Sequence, residues 1–320
     1  MLVAGAGALG SVVGGLLAAH GWPVTLLGRA HHLAAIGADG LHLDGLYGRH
    51  HVRTLACATD AASLGGPFAA VLLTVKAWDT RVVAAAVAPL LAADGVLVSM
   101  QNGLGNLEQA GEAVGPRRVL GARVIFGAEI VAPGCVRVTV HAAPTLIGSP
   151  DADDAPRQAA AERWAGALTA AGVPAEPSTR ILPELWAKLL YNAALNPLGA
   201  LLGVAYGWLP GDPDARAIMD DVVDEAFAVA CAEGVQLPWR DAAAYRAVFY
   251  DRLVPSTAEH RSSMLQDLER GRPTEIDAIN GWVAARGAAL GVPTPANLML
   301  ARTIRARVRR AGRDDPRWSR

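Results

Sequence analysis

Three observations in the sequence predict an α/β domain followed by an all-α domain. Short β-like runs alternate with helical patterns as far as about residue 177, and a glycine-rich turn separates the first strand from the first helix. From about Ile181 onward the β signals vanish and apolar residues recur at helical spacing. The chain has 320 residues, 52% hydrophobic and 18% charged, enough for two separate cores. Residues 1–179 are assigned to the first domain and residues 180–320 to the second.

The first element is a β-like run at Leu2–Ala4, short because Met1 stands close ahead of Gly5. It leads into GAGALG, then an apolar helical pattern to about His20 and a second strand at Val24–Leu27. In this strand, turn, helix, strand setting Gly5, Gly7 and Gly10 match GxGxxG, the signature of a Rossmann-type dinucleotide-binding unit. The first glycine permits the tight turn, the second lets the backbone approach a pyrophosphate, and the third lets helix and strand pack closely. Gly5, Ala6, Gly7, Ala8, Leu9 and Gly10 are therefore the candidate pyrophosphate cradle, at a helix N-terminus whose N–H groups favour an anion. The second strand ends in VTLLGR, where an NAD-selective site places an acid against the ribose 2′-OH. Arg29 stands there instead, a cation suited to the 2′-phosphate of NADP, with His31 and His32 as weaker alternatives.

Val71–Val75 and Val96–Met100 read as fully buried parallel strands. Their carboxyl ends deliver Lys76 and Asn102 to the edge at which such sheets bind ligands. Runs at Arg123–Phe126, Val136–Val140 and Thr145–Ile147 are expected to complete the same sheet. Ala159–Ala171 reads as the last helix of the domain, before a short extended PAEPS segment.

The second domain carries helical patterns at Leu185–Leu202, Ala215–Glu233, Trp239–Phe249 and Glu275–Leu290. Within the first of them, ELWAKLLYNAALNP spaces Lys188, Asn192 and Asn196 four residues apart, and Glu184 extends the line by one turn. A helix turns about 100° per residue, so such residues share one face with a drift of about 40° per step. A helix that is apolar nearly all round except for one polar line is expected to be packed on most sides and open on a cleft along that line. Of the 29 cationic residues 27 are Arg, and only Lys76 and Lys188 are Lys. Guanidinium keeps its proton, whereas an ammonium can give it up, so both lysines are candidates for positions where Arg cannot serve. Ser262 and Ser263 lead into a further turn of helix. PTEID is expected to start another, with Thr274 as N-cap and Glu275 in the first turn, where the helix dipole favours a carboxylate.

A net charge near −1 gives no general reason to bind nucleic acid or an anionic membrane. The apolar N-terminus imitates a signal peptide but has no positive n-region, and no stretch reads as a membrane span. Cys57, Cys135 and Cys231 lie far apart, without CxxC or Cys/His metal spacing, which is the pattern of reduced thiols in a cytoplasmic protein and implies no metal. The basic run ARTIRARVRRAGRDDPRWSR reads as a solvated helix with a frayed tail. The sequence leaves the oligomeric state open between monomer and homodimer.

GAGALG, TVKAW, QNGLGN, KLLYNAALNPLGAL and SSMLQDLERGRPTEIDAINGWV follow one another across nearly the whole chain. Together they resemble the ketopantoate reductase (2-dehydropantoate 2-reductase) family. The resemblance implies NADPH-dependent reduction of 2-dehydropantoate to pantoate, a step toward pantothenate and coenzyme A. It implies a Rossmann domain followed by a helical domain of the 6-phosphogluconate dehydrogenase C-terminal type. It further implies Lys188 as the catalytic lysine, with Glu275 as an acidic site residue that also meets the cofactor. Asn102, Asn192, Asn196 and Ser263 fall on substrate-contacting positions, Arg29 and Lys76 on cofactor-phosphate contacts, and Asn102 serves the cofactor as well. Reduction of a 2-oxo acid develops negative charge on the carbonyl oxygen, which an ammonium stabilises and then protonates, the role expected of Lys188. One departure is His260, where the family often has Asn, so a related 2-oxo acid stays open as the substrate. A β-hydroxyacid dehydrogenase ranks behind, because GARVIFGAEI stands where a DAPVSGG-like loop is usual. The non-enzyme alternative is an NADPH-binding sensor.

Overall fold

The computed structural model describes residues 1–313, and the chain divides into two compact units between Leu182 and Pro183. The strands of the first unit are β1 (Leu2–Ala4), β2 (Thr25–Leu27), β3 (Leu41–Gly45), β4 (His50–Val52), β5 (Ala56–Ala58), β6 (Phe68–Leu73), β7 (Leu91–Ser99), β8 (Val119–Arg123), β9 (Phe126–Ala132), β10 (Cys135–His141), β11 (Thr145–Gly148) and β12 (Ala175–Pro177). Eight of them form one sheet in the order β12-β11-β8-β7-β6-β1-β2-β5. From β5 through β2, β1, β6 and β7 to β8 every pairing is parallel. This is the 3-2-1-4-5-6 order of the doubly wound dinucleotide-binding sheet. β11 extends it antiparallel to β8. Its helices are α1 (Ala8–Ala19), α2 (Ala30–Asp39), α3 (Thr80–Val87), α4 (Asn106–Val114) and α5 (Ala155–Ala170).

The run Val136–Val140 does not complete this sheet, contrary to the expectation from sequence. It lies in β10, part of a second, four-stranded sheet ordered β4-β3-β10-β9. The burial pattern explains the difference: Val136 and Val138 are buried while Arg137 and Thr139 are exposed, the alternation of a sheet covered on one face only. Arg123–Phe126 is not a strand of its own either, since β8 ends at Arg123 and β9 begins at Phe126.

The second sheet explains why α1 is apolar all round. Every residue from Gly10 to Ala18 is buried. A Cβ on Gly14 would stand 2.7 Å from Leu26 Cδ2 in β2, and one on Gly15 2.6 Å from Leu41 Cδ2 in β3. The helix is therefore sandwiched between the two sheets, with a glycine at each close approach. His32 ties the same layers together. Its Nδ1 accepts from Gly134 N at 3.2 Å in the turn between β9 and β10, which leaves Nε2 to donate to Ser11 Oγ on α1 at 3.0 Å.

The second unit contains most of α6 (Ile181–Leu202), then α7 (Pro213–Ala232), α8 (Ala242–Val248), α9 (Ser263–Glu269), α10 (Asn280–Leu290) and α11 (Pro295–Arg313), with no strand among its described residues. The Trp239–Phe249 pattern is shorter than expected. Asp241 caps α8 by accepting from Ala244 N at 2.7 Å, and a π turn follows at Phe249–Leu253. The expected helix from Glu275 to Leu290 is divided: Glu275–Ala278 form one 3-10 turn, and α10 starts only at Asn280. Thr274 occupies the position before that turn, but its hydroxyl makes no cap bond and is buried. The basic C-terminal run lies in α11 up to Arg313, and the tail expected beyond it falls outside the described residues. Among the described residues no helix is long and apolar enough to cross a membrane.

α6 carries Pro197 in its interior, and proline has no N–H to give the carbonyl four residues earlier. That carbonyl belongs to Ala193, and it accepts instead from Asn280 Nδ2 at 3.0 Å. Asn280 is fully buried, and the same nitrogen donates to Asn297 Oδ1 at 3.0 Å. Asn297 Nδ2 donates in turn to Glu225 Oε2 at 2.8 Å, and Glu225 caps α11 by accepting from Ala296 N at 2.8 Å.

Two outcomes follow from these contacts. Asn280→Ala leaves the Ala193 carbonyl buried and unsatisfied, so the urea midpoint falls by the equivalent of about 1–3 kcal/mol. His32 is buried as the neutral ring, and burial, reinforced by His31, lowers its pKa. Below about pH 6.5 the unfolded chain takes up a proton that the folded state refuses until a lower pH, so stability falls through that window and levels off beneath the folded pKa. His260, also lowered by burial, adds to the loss in the same direction. Urea midpoints at pH 7.5 and 5.5 should therefore converge in His32→Gln relative to wild type.

Candidate active site

The glycine turn follows directly from the end of β1. Gly5 has a φ of +120°, and a Cβ there would lie 2.5 Å from Val75 N. A Cβ on Gly10 would lie 2.2 Å from Gly5 O and 2.6 Å from Thr74 Oγ1. Thr74 Oγ1 donates to Gly5 O at 2.7 Å, so the turn is closed against the strand end beside it. At Gly7, by contrast, an added Cβ meets nothing within 4 Å. Gly7 is exposed at the N-cap of α1 and makes no side-chain cap. The loop is thus shut at Gly5 and Gly10 and open at Gly7, where helix N–H groups can meet an anion, which is the shape a pyrophosphate requires. Ala6 is buried, Ala8 and Leu9 are half-buried, and Gly5 N and Ala6 N both donate to Leu27 O at 2.9 Å.

Arg29 is exposed at the N-cap of α2, immediately beyond β2, and α2 has no acidic residue in its first turn. His31 is exposed beside it, whereas both ring nitrogens of His32 are used inside the fold. His32 is therefore withdrawn as an alternative phosphate contact. Lys76 is half-buried at the start of a 3-10 turn, with its ammonium 5.9 Å from the Trp78 ring centroid. Asn102 is half-buried in the loop after β7, and its carbonyl accepts from Asn106 Nδ2 at 3.0 Å. The glycine turn, Arg29, Lys76 and Asn102 follow β1, β2, β6 and β7, four neighbouring strands, and so share one carboxyl edge.

In the second unit the polar line of α6 sinks along its length: Glu184 and Lys188 are half-buried, Asn192 is 9% exposed and Asn196 7%. Asn196 Oδ1 accepts from the hydroxyl of Tyr206, a residue the sequence pattern did not single out. Burial pushes the Tyr206 pKa well up, so this phenol remains a donor. Its ring lies 5.1 Å from that of His260 and meets Tyr191 edge-on at 5.8 Å. Ser262, not Ser263, is the N-cap of α9, accepting from Leu265 N at 3.0 Å and donating to Asn196 O at 3.4 Å. Ser263 follows as an exposed first helical residue. Glu275 is 7% exposed in its 3-10 turn. The Asn280 bond to Ala193 ties the segment just after Glu275 to α6 beside Asn192. Away from these elements, Asp39, His42 and His51 bring ligand-type atoms within 4.8 Å of one another, and Arg53 pairs with Asp39 at 3.2 Å.

The family profile described as "Ketopantoate reductase PanE/ApbA" matches residues 1–152, and that described as "Ketopantoate reductase PanE/ApbA C terminal" matches residues 180–308. A 2-dehydropantoate 2-reductase of Aquifex aeolicus is 35% identical over 317 residues, covering 96% of each chain. Its counterpart in Archaeoglobus fulgidus is 35% identical over 303 residues, covering 95% of this chain and 96% of the relative. Among solved structures, a PanE/ApbA family ketopantoate reductase of Ralstonia eutropha superposes with a TM-score of 0.85 at 36% identity, covering 97% of this chain and 99% of its own. D-mandelate dehydrogenase with NADH and anilino(oxo)acetate superposes with a TM-score of 0.86 at 25% identity, covering 97% and 99%. The glycine cradle, the strand order and these full-length matches agree, and the chain belongs to the ketopantoate reductase family of dinucleotide-binding oxidoreductases.

Proposed function

We propose that the protein reduces 2-dehydropantoate to pantoate with NADPH, using Lys188 as the proton donor. The observation that carries this reading is the line on α6: one of only two lysines, half-buried, followed at helical spacing by Asn192 and Asn196. The dinucleotide, when bound, supplies the hydride. The Lys188 ammonium stabilises the charge that grows on the substrate's C2 oxygen and then gives it a proton. Asn192 and Asn196 hold the substrate hydroxyl, Ser263 donates to the carboxylate, and Glu275 orients Lys188 or accepts from the distal hydroxyl. Asn102 orients the ketone or the nicotinamide. Gly5 to Gly10 receive the pyrophosphate, and Arg29 and Lys76 receive the phosphates, with Arg29 on the 2′-phosphate. The same reading describes a cytoplasmic enzyme of small molecules, independent of nucleic acid and membrane, acting as monomer or homodimer.

A second reading, a 2-oxo acid with an aryl side chain, has two observations in its favour. The His260 and Tyr206 rings pack together behind Asn196, and the D-mandelate dehydrogenase that superposes on this chain was solved with an aryl 2-oxo acid analogue. Comparing kcat/KM for 2-dehydropantoate and phenylglyoxylate decides between the two substrates.

Lys188→Arg keeps the charge and removes the transferable proton, so kcat should fall by roughly 10²–10⁴ while NADPH binding is retained. Near wild-type turnover would reduce Lys188 to an electrostatic role. Arg29→Ala should weaken NADPH by about ten- to a hundredfold and leave NADH nearly unchanged, since only NADPH carries the 2′-phosphate. Equal losses for the two nucleotides would sink the 2′-phosphate assignment.

A further inference from the structure

Behind the edge that carries Lys76 and Asn102, four polar side chains are buried in a row. Ser99 is 4% exposed, Gln101 6%, Thr80 0% and Asn106 3%. Their hydrogen bonds run in one direction. Gln101 Nε2 donates to Val75 O at 2.9 Å and to Thr80 Oγ1 at 2.7 Å, which fixes the orientation of the amide and leaves Gln101 Oε1 to accept from Ser99 Oγ at 3.1 Å. Thr80 has a single hydroxyl proton, and it goes to Asn106 Oδ1 at 2.9 Å. The Asn106 amide is oriented in its turn, and its Nδ2 donates to Asn102 O at 3.0 Å.

The two ends of this chain are informative. One is the carbonyl of Val75, the peptide that leads into Lys76, and the turn beyond it is closed by Asp79 N donating to Lys76 O at 2.9 Å. The other is the carbonyl of Asn102 itself. A buried polar network whose members each have a partner holds one geometry, because a break anywhere strands a desolvated group. The segments after β6 and β7 are thereby locked in register with each other, independently of any exposed contact.

We propose that Gln101, Thr80 and Asn106 are positioning residues for nucleotide binding, which set the turn of Lys76 and the loop of Asn102 as a single preorganised piece. None of the three needs to touch the nucleotide. This inference rests on the reading that Lys76 and Asn102 serve the cofactor, and its test separates the two. The variants are Thr80→Val, which removes the hydroxyl at nearly constant volume, Thr80→Ser, which restores it, and Asn106→Asp, which keeps the acceptor for Thr80 and removes the donor to Asn102. Lys76→Ala and Lys76→Ala/Thr80→Val complete the set. The readouts on the full-length protein are the NADPH dissociation constant from nucleotide fluorescence, KM for NADPH and for the 2-oxo acid, and the urea midpoint.

Thr80→Val and Asn106→Asp should each raise the NADPH dissociation constant about tenfold, with a KM change confined largely to NADPH. Thr80→Ser should restore wild-type affinity, and Thr80→Val should cost less on the Lys76→Ala background than on wild type. A lower urea midpoint with the dissociation constant held within roughly twofold, while Lys76→Ala does weaken NADPH, overturns the positioning role and leaves the Lys76 reading standing. Unchanged affinity in Lys76→Ala overturns the reading of Lys76 itself, and the positioning role with it. If Thr80→Val fails to fold, Asn106→Asp and Thr80→Ser carry the same comparison.

Discussion

The backbone at the carboxyl edge of the parallel sheet runs out of ladder partners, and the way its last groups are satisfied decides where the candidate cofactor residues sit. Thr74, the first residue beyond β6, does most of this work. Its N–H donates to Ala4 O at 2.9 Å and its hydroxyl to Gly5 O at 2.7 Å. Gly5 N and Ala6 N then turn back to Leu27 O, and Met100 N reaches Leu73 O at 3.0 Å. With the strand ends drawn this close, side chains at residues 5 and 10 would collide with backbone, and only glycine is compatible with both contacts. The open side of the turn at Gly7 follows from the closed sides.

That constraint was legible in the sequence because it is local. A glycine motif between a strand and a helix, and buried runs ending in Lys76 and Asn102, need no knowledge of distant partners. The second sheet was not legible, for the opposite reason. β3 and β4 are short and rich in histidine, and β3 pairs in parallel with β10, far along the chain. One signal did point to it. A helix whose faces are all apolar must be covered all round, and α1 could not be so covered by a single sheet. The apolarity of this segment is the mark of a helix packed between two layers.

The same division between local and distant runs through α6. The polar line of Lys188, Asn192 and Asn196 is a local periodicity and could be read directly. What Pro197 demands of the helix cannot be, because the donor that answers the Ala193 carbonyl lies on another helix. Asn280 lies inside the helix expected at Glu275–Leu290, where nothing in the pattern sets it apart, and only the fold shows that it repairs the gap. The caps behaved likewise. Thr274 had the right residue type and the right place, yet the backbone after it makes only a 3-10 turn, and the capping role among these segments belongs to Ser262.

Asn196 shows how a buried partner can define which end of a polar side chain is left available. An asparagine side chain offers an acceptor and a donor, and one free to turn over would read either kind of group on a ligand. Here the oxygen end is committed to the Tyr206 hydroxyl, whose proton burial holds in place. The end turned away from Tyr206 is the NH2, a donor, and a donor selects hydroxyl and carboxylate oxygens. His260 packs its ring on the same phenol, and the backbone binds the pair again, with Tyr206 N donating to His260 O at 3.1 Å. The residue at position 260 therefore bears on the seating of Tyr206, and through it on the orientation of Asn196. In the site proposed for the substrate, the His260 ring thus acts one layer behind the asparagine, on the phenol that holds it.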